Sequence, residues 1–98
     1  MDHWELNPIE DPEASLADLA ERQGLVLTRH DLKQYPGGQH WHLQKPKQKG
    51  TLEVTWWPAR GRFWMNQHPR RDAEWIAPIR DEILRTHGQA GTSRPDPE

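Results

Sequence analysis

The residues of this sequence best suited to chemistry are two histidines, His40 and His42, which flank a tryptophan. In an extended strand, side chains two positions apart project from the same face, so the two imidazoles would lie side by side. An imidazole can accept or deliver a proton near neutral pH, and it is also a common metal ligand. The pair therefore fits acid–base catalysis, metal binding or an ordinary polar strand surface.

A metal centre built on this pair would need a third ligand. His30, Glu53 and His68 are candidates, and nothing in their spacing selects one of them. The chain has no cysteine, which excludes thiolate ligands and disulfides and fits a reducing compartment. From the sequence we therefore assign no metal ion and no cofactor.

Charge is distributed unevenly along the 98 residues. The segment 29–71 has a formal net charge of +7, whereas residues 1–28 sum to −6 and residues 72–98 to −3, so the total is only −2. The basic segment also contains four of the six tryptophans and four of the six histidines. Positive charge interleaved with aromatic rings is typical of surfaces that bind nucleic acids or other polyanions.

A first helix can be predicted from its end signals and its apolar spacing. Asp11 can cap free N–H groups, Pro12 fits the first turn, and Gly24 is a good stop. We predict this helix over residues 12–23. A second helical segment follows Asp72, and the proline within it predicts either a kink or a helix limited to residues 78–87.

Between the helices the apolar period changes to two, which indicates strands separated by turns rich in glycine and proline. The predicted strands cover residues 25–30, 39–44, 51–57 and 62–67. The links between them are short, so the strands should be antiparallel.

Together these elements predict an α+β fold of the order α-β-β-β-β-α. Its four-stranded antiparallel sheet carries both helices on one face and leaves the other face open. The predicted domain spans residues 11–88, with an acidic N-terminal extension at 1–10 and a disordered C-terminal tail at 89–98.

Alternation assigns the strand residues to the two faces. The face under the helices should carry Trp41, Leu43, Leu52, Val54, Trp56, Phe63 and Met65. The open face should carry His40, His42, Glu53, Thr55, Trp57, Arg62 and Trp64. The last strand keeps these faces with a hairpin loop of two or four residues, whereas a three-residue loop with a bulge would exchange them.

We predict a binding surface on the open face and its rim, formed by Trp57, Arg62, Trp64, His40, His42, Lys45, Lys47 and Arg60. Exposed aromatic rings stack on bases, at about 1–3 kcal/mol per base, and basic side chains neutralise phosphates. The sequence thus favours a small binding module for nucleic acid, either RNA or single strands, with an acidic protein as the other candidate partner. A homodimer formed through the open face would explain the same residues.

The layout also resembles that of the HicA-type mRNA interferase toxins. Residues 16–24 correspond to a helix ending near a glycine, and the segment 38–43 (Gly-Gln-His-Trp-His-Leu) is similar to the Gly-Ser-His-His-type segment of that family. The resemblance implies a fold like the double-stranded-RNA-binding domain and RNA cleavage with His40 as the catalytic residue. Gln39 stands where the family has serine. An RNA-cleaving enzyme is therefore the alternative to the binding module, and we favour the non-enzymatic function.

The sequence gives no sign of membrane insertion. No apolar run approaches the roughly 20 residues of a membrane span, and the acidic start of the chain is unlike a signal peptide. We expect a cytoplasmic protein.

Overall fold

A computed structural model describes residues 2–31, 33–68, 70 and 72–88. Within these ranges the chain forms β1 (Asp2–Leu6), α1 (Pro12–Gln23), β2 (Val26–His30), β3 (Gln39–Gln44), β4 (Leu52–Trp57), β5 (Arg62–Gln67) and α2 (Ile76–His87). The strands form one antiparallel sheet in the order β1-β5-β4-β3-β2. The predicted α+β class is confirmed. The predicted number of four strands is wrong, because the sheet has five.

The additional strand is β1, which lies in the segment that we predicted to be an acidic extension. It pairs with β5, so that Trp4 is opposite Met65 and Leu6 is opposite Phe63. Trp4 and Leu6 are buried, whereas the alternate residues of β1 are not. A period of two was therefore present in the sequence, but its partner strand lies some sixty residues further along the chain, where no local signal points to it.

The helix ends follow from their capping residues. The bounds predicted for α1 are confirmed, with the Asp11 side chain accepting a hydrogen bond from the Ala14 N–H at 3.1 Å and Gly24 adopting a left-handed conformation at the other end. Helix α2 begins at Ile76. Pro78 lies in its first turn, where backbone N–H groups have no acceptor within the helix, so the proline interrupts no hydrogen bond.

The hydrophobic core lies between one sheet face and both helices. The strands contribute Trp4, Leu6, Trp41, Leu43, Leu52, Val54, Phe63 and Met65. The α1 and α2 regions contribute Leu16, Leu19, Ala20, Trp75, Ile76, Ile79 and Ile83. The predicted core face is confirmed, with Trp56 packed at its margin. The β4–β5 loop has four residues, 58–61, so the faces of β5 are those expected for an even loop.

Two further expectations concern the ends of the chain and the membrane. The tail predicted to be disordered, residues 89–98, lies outside the described residues. In the described part of the chain, neither helix is long and apolar enough to cross a membrane.

Replacing Trp4 with alanine should lower the free energy of unfolding by about 3–5 kcal/mol, because truncating a buried aromatic side chain leaves a cavity. Trp4 is only 2% exposed, and the Arg80 guanidinium lies over its ring. Urea denaturation followed by circular dichroism measures the change. Asp2→Ala, at an exposed position of the same strand, is the control and should change stability by less than about 0.5 kcal/mol. Equal, small effects of both substitutions would contradict the position of β1 in the sheet.

The protein should lose stability in mild acid partly through His87. Burial lowers the pKa of His87 below its ordinary value of 6.5. The unfolded chain then binds a proton at a higher pH than the folded chain, so stability falls as the pH drops below about 6.5. The substitution His87→Gln should reduce the loss of stability measured by urea denaturation between about pH 7.5 and about pH 5.5. The same pH dependence in the variant and the wild type would contradict this assignment.

Candidate functional site

The outer face, defined here as the sheet face turned away from the helices, carries polar side chains across its width. The strand register aligns one row from β2 to β1 that contains Thr28, His42, Glu53, Asn66 and His3. A second row contains His30, His40, Thr55, Trp64 and Glu5. The residues predicted for the open face therefore do share it. Asn66, His3 and Glu5 are additional members that our prediction did not include.

A cleft of about 890 Å³ lies on this outer face. Five of the six histidines of the chain line it: His3, His30, His40, His42 and His68. Its charged lining residues are Asp31, Glu53, Arg62 and Arg70, whose formal charges cancel. The cleft is thus rich in histidine and balanced in charge, in contrast to the strongly basic face predicted from the sequence.

The floor of the cleft contains three polar side chains in close contact, which we call the His-His-Glu cluster: His40, His42 and Glu53. His40 Nε2 lies 3.0 Å from Glu53 Oε1 and 3.1 Å from His42 Nε2. The third side of this triangle, from His42 Nε2 to Glu53 Oε1, is 3.7 Å. On the other side of its ring, His40 Nδ1 lies 2.7 Å from Thr55 Oγ1. His40 is 6% exposed, and the other two members of the cluster are half-buried.

The sheet register explains how these residues meet. His42 lies directly opposite Glu53 on the neighbouring strand, and His40 is two residues before His42 on the same face. Of the three candidate third ligands named from the sequence, the structure brings Glu53 into the cluster. The centroid of the His30 ring lies 4.2 Å from that of the His42 ring. It lies further from the centroid of the His40 ring, at 6.4 Å.

The aromatic side of the cleft differs from the open platform that we predicted. The Tyr35 ring packs on Trp57 and Trp64, with ring centroids 4.9 and 5.2 Å apart. Trp64 also has the His3 ring and the Arg62 guanidinium against it, and it is only 6% exposed. Within the described residues, the buried Trp57 Nε1 has no hydrogen-bond partner. The two indole rings therefore form a wall beneath Tyr35. Tyr35 and Trp57 are half-buried, and Trp64 is buried.

A glycine permits the loop that carries Tyr35 to approach the sheet. A Cβ atom at Gly38 would lie 2.8 Å from the Tyr35 carbonyl oxygen and 3.1 Å from that of Trp56. Both contacts are with backbone atoms, which cannot move aside as a flexible side chain can. The Gly-Gly sequence that indicated a turn thus also allows the tyrosine to cover the tryptophans.

Strand β1 brings a carboxylate to the edge of the cleft. Glu5 accepts hydrogen bonds from Arg62 and His3. Burial alone would raise the pKa of Glu5, but the contacts with Arg62 and His3 outweigh it and hold the pKa below its ordinary value of 4.5. Arg62, whose guanidinium also lies 4.7 Å from the Trp64 ring centroid, is therefore already paired with an ionised partner.

The eight predicted binding residues do not form one patch. His40, His42, Arg62 and Trp64 line the cleft, and Trp57 lies under Tyr35. Lys45 and Lys47 belong to the loop before β4, whereas Arg60 follows that strand, so the three cations lie at opposite ends of β4. The alternation of side chains along β5 could have identified Asn66 as a residue of the outer face. His3 and Glu5 could not be assigned to that face because they lie on β1, the strand that the sequence analysis missed.

Comparison of the chain with protein-family models, curated protein sequences and solved structures found no match. The resemblance to HicA-type toxins stays a prediction. Function is therefore inferred from the geometry of the cleft.

Replacing Tyr35 with alanine should uncover the tryptophan wall. Quenching of tryptophan fluorescence by acrylamide should then increase, because Trp57 and Trp64 lose the ring that covers them. Stability should also fall, since each aromatic pair contributes about 0.5–1.5 kcal/mol beyond its buried area. Tyr35→Phe keeps the ring and is the matched control. Equal quenching of Tyr35→Ala and Tyr35→Phe would show that the ring does not shield the indoles.

Proposed function

We propose that the protein binds a phosphate-bearing ligand, a short single-stranded segment of nucleic acid, in the cleft on the outer face. The observation that supports this most is the composition of the cleft, which combines arginine and histidine donors with an aromatic wall. Arginine recognises phosphate through short, charge-assisted hydrogen bonds, and aromatic rings stack on bases. The sequence predicted a flat binding face with Trp57, Trp64 and Arg62, whereas the proposed site is concave and relies on Tyr35 and Arg70.

The size of the cleft favours one or two nucleotides over a duplex. Sites for small ligands have volumes of roughly 300–1,000 Å³, and this cleft has about 890 Å³. Tyr35 is the ring available for stacking, because it is half-buried and lines the cleft. Trp64 is only 6% exposed, and Trp57 is not among the residues that line the cleft. A base entering the cleft would therefore contact the tyrosine first.

Arg70 is the cleft cation best suited to a test of phosphate binding. It is exposed and lines the cleft, whereas Arg62 is paired with Glu5, so that replacing Arg62 would also free a carboxylate. Removing the charge of Arg70 should therefore change ligand binding with little disturbance of the fold.

The test is fluorescence anisotropy of a labelled single-stranded oligonucleotide, as RNA and as DNA, at low and high salt. Wild-type protein should bind saturably at low salt and more weakly at high salt, because binding to phosphates releases counterions. Arg70→Gln should weaken binding about tenfold or more, since hydrogen bonds to charged groups contribute roughly 1.5–3 kcal/mol. Tyr35→Ala should weaken it by a similar factor through lost stacking.

Lys47→Gln is the matched control, because it removes one positive charge from an exposed loop outside the cleft. Its affinity should stay close to that of the wild type. Equal losses in Lys47→Gln and Arg70→Gln would indicate general attraction between polyelectrolytes and would overturn a cleft-specific site. The absence of binding to either polymer would overturn the proposal as a whole.

An RNA-cleaving enzyme is the second candidate function. It is favoured by the short contacts that join His42 to His40 and His40 to Glu53, which is an arrangement able to pass a proton. His40, the residue implied by the resemblance, is almost completely buried, so a substrate would meet the more exposed His42 first. Degradation of the RNA probe by wild-type protein but not by His42→Gln would establish this activity, and an intact probe after long incubation would argue against it.

A further inference from the structure

We propose that His40, His42 and Glu53 bind a divalent transition-metal ion, of the class of Zn²⁺, at the floor of the cleft. No metal was assigned from the sequence because the spacing selected no third ligand, and the structure supplies that ligand in Glu53. The proposal goes beyond nucleic-acid binding and does not depend on it, because metal binding can be measured with no other ligand present.

The separations of the three ligand atoms suit a small divalent ion. Metal–ligand bonds of about 2.0–2.1 Å in a tetrahedral arrangement place the ligand atoms roughly 3.3–3.4 Å apart. The observed separations are 3.0 Å from His40 Nε2 to Glu53 Oε1, 3.1 Å between the two Nε2 atoms, and 3.7 Å from His42 Nε2 to Glu53 Oε1. They lie on both sides of the ideal value, so shifts of a few tenths of an ångström would complete the geometry.

The chemistry of the three atoms also favours a proton or a cation between them. A carboxylate oxygen and an unprotonated imidazole nitrogen each present a lone pair, and lone pairs repel one another at about 3 Å unless a proton or a cation lies between them. A proton on His40 Nε2 can be directed towards Glu53 or towards His42, but not fully towards both. A metal ion would satisfy all three atoms together.

A supporting contact orients the most buried ligand. When the Thr55 hydroxyl oxygen accepts a hydrogen bond from His40 Nδ1, at 2.7 Å, the lone pair of Nε2 faces the other two ligand atoms. Metal-binding histidines usually donate their second N–H in this way, which fixes both the tautomer and the orientation of the ring. Thr55 is itself buried, so this contact is shielded from competing water.

The backbone holds the three ligands in place. All of them lie on β3 and β4, which are paired through the middle of the sheet, and His42 and Glu53 are direct cross-strand partners. Sites built on strands keep their geometry better than sites built on loops. The cluster therefore needs no large movement of the chain to bind an ion.

The ligand set predicts the type of ion and an open coordination position. Two imidazoles and one carboxylate suit Zn²⁺ and its neighbours in the first transition row, whereas Ca²⁺ and Mg²⁺ prefer oxygen ligands alone. Three protein ligands leave at least one position of a tetrahedral ion for a water molecule or another oxygen ligand. His42 and Glu53 both line the cleft, so that position would face the cleft.

The test uses full-length protein without a histidine tag, stripped of metal with a chelator and dialysed. Isothermal titration with Zn²⁺ should show one saturable site per chain, and Co²⁺ should produce visible absorption bands that report imidazole and carboxylate coordination. His42→Gln and Glu53→Gln should each weaken Zn²⁺ binding by more than about 100-fold, because a ligand contributes more than its supporting contacts do. Both residues are half-buried, so these variants should fold, which circular dichroism verifies.

Two further variants separate coordination from a general effect of histidine. His68→Gln removes a cleft histidine outside the cluster and should leave Zn²⁺ affinity unchanged. Thr55→Val keeps the shape of the side chain but loses the hydroxyl, and should weaken binding by about 10–100-fold. The proposal is overturned if the wild type shows no saturable site, if His42→Gln and Glu53→Gln bind as tightly as wild type, or if His68→Gln weakens binding as much as they do.

Discussion

The pairing of β3 with β4 is the constraint on which the rest of the structure depends. Its register places Trp41 opposite Val54 on the core side and His42 opposite Glu53 on the outer side. A slip of one residue would move every side chain of one strand to the wrong face, exposing Trp41 and burying His42. The free energy gained by burying Trp41 therefore also fixes the distance between His42 and Glu53. In this way the hydrophobic core sets the geometry of a polar site on the opposite side of the sheet.

The two faces of the sheet are stabilised in different ways. The inner face packs on two helices. Within this core, Trp41 donates its indole N–H to the Glu13 carboxylate of α1 at 3.1 Å, so the polar atom of this buried ring has a hydrogen-bond partner. The outer face lacks a helical layer among the described residues and instead uses aromatic contacts, with Tyr35 on Trp57 and Trp64. Cations lie over the same indoles, Arg60 on Trp57 and Arg62 on Trp64. Local covering of this kind leaves the neighbouring histidines accessible from the cleft.

Most of the architecture could be predicted from local patterns. The capping residues of α1 and the period of two in β3, β4 and β5 were sufficient to assign that helix and these strands. The faces of β5 depended on the length of the hairpin loop, which the sequence left open and which the structure shows to be four residues. Strand β1 was missed because its partner is distant in sequence and its acidic residues suggested a solvated extension. The selection of Glu53 as the partner of His42 was equally out of reach, because it depends on the register between two strands. The packing of Tyr35 on the two indoles depends on the path of the loop between β2 and β3. Glycine and proline in the sequence indicate where this loop turns, but they do not determine its path over the sheet.

The outer face is less basic than the sequence predicted, because contacts between distant segments of the chain pair some of its cations and separate others. Net charge summed along the chain showed an excess of cations in the middle segment. In three dimensions Glu5 meets Arg62, and the lysine-containing loop lies at the opposite end of β4 from Arg60. Charge summed along a chain therefore says little about charge on a surface when strands from distant segments meet.

The position of β1 at the sheet edge also has a consequence for the order of assembly. Residues 2–6 are synthesised some sixty residues before their partner strand, 62–67. Until the two meet, β5 presents unpaired N–H and C=O groups, and an exposed strand edge of this kind readily pairs with another chain. The neighbouring contact, from the Asn7 N–H to the His87 carbonyl oxygen at 2.7 Å, also joins early and late segments. Non-local pairing of this kind is slow because closing the long intervening loop costs entropy before the two strands gain their contacts. A newly made chain is therefore vulnerable to aggregation through β5 until β1 docks.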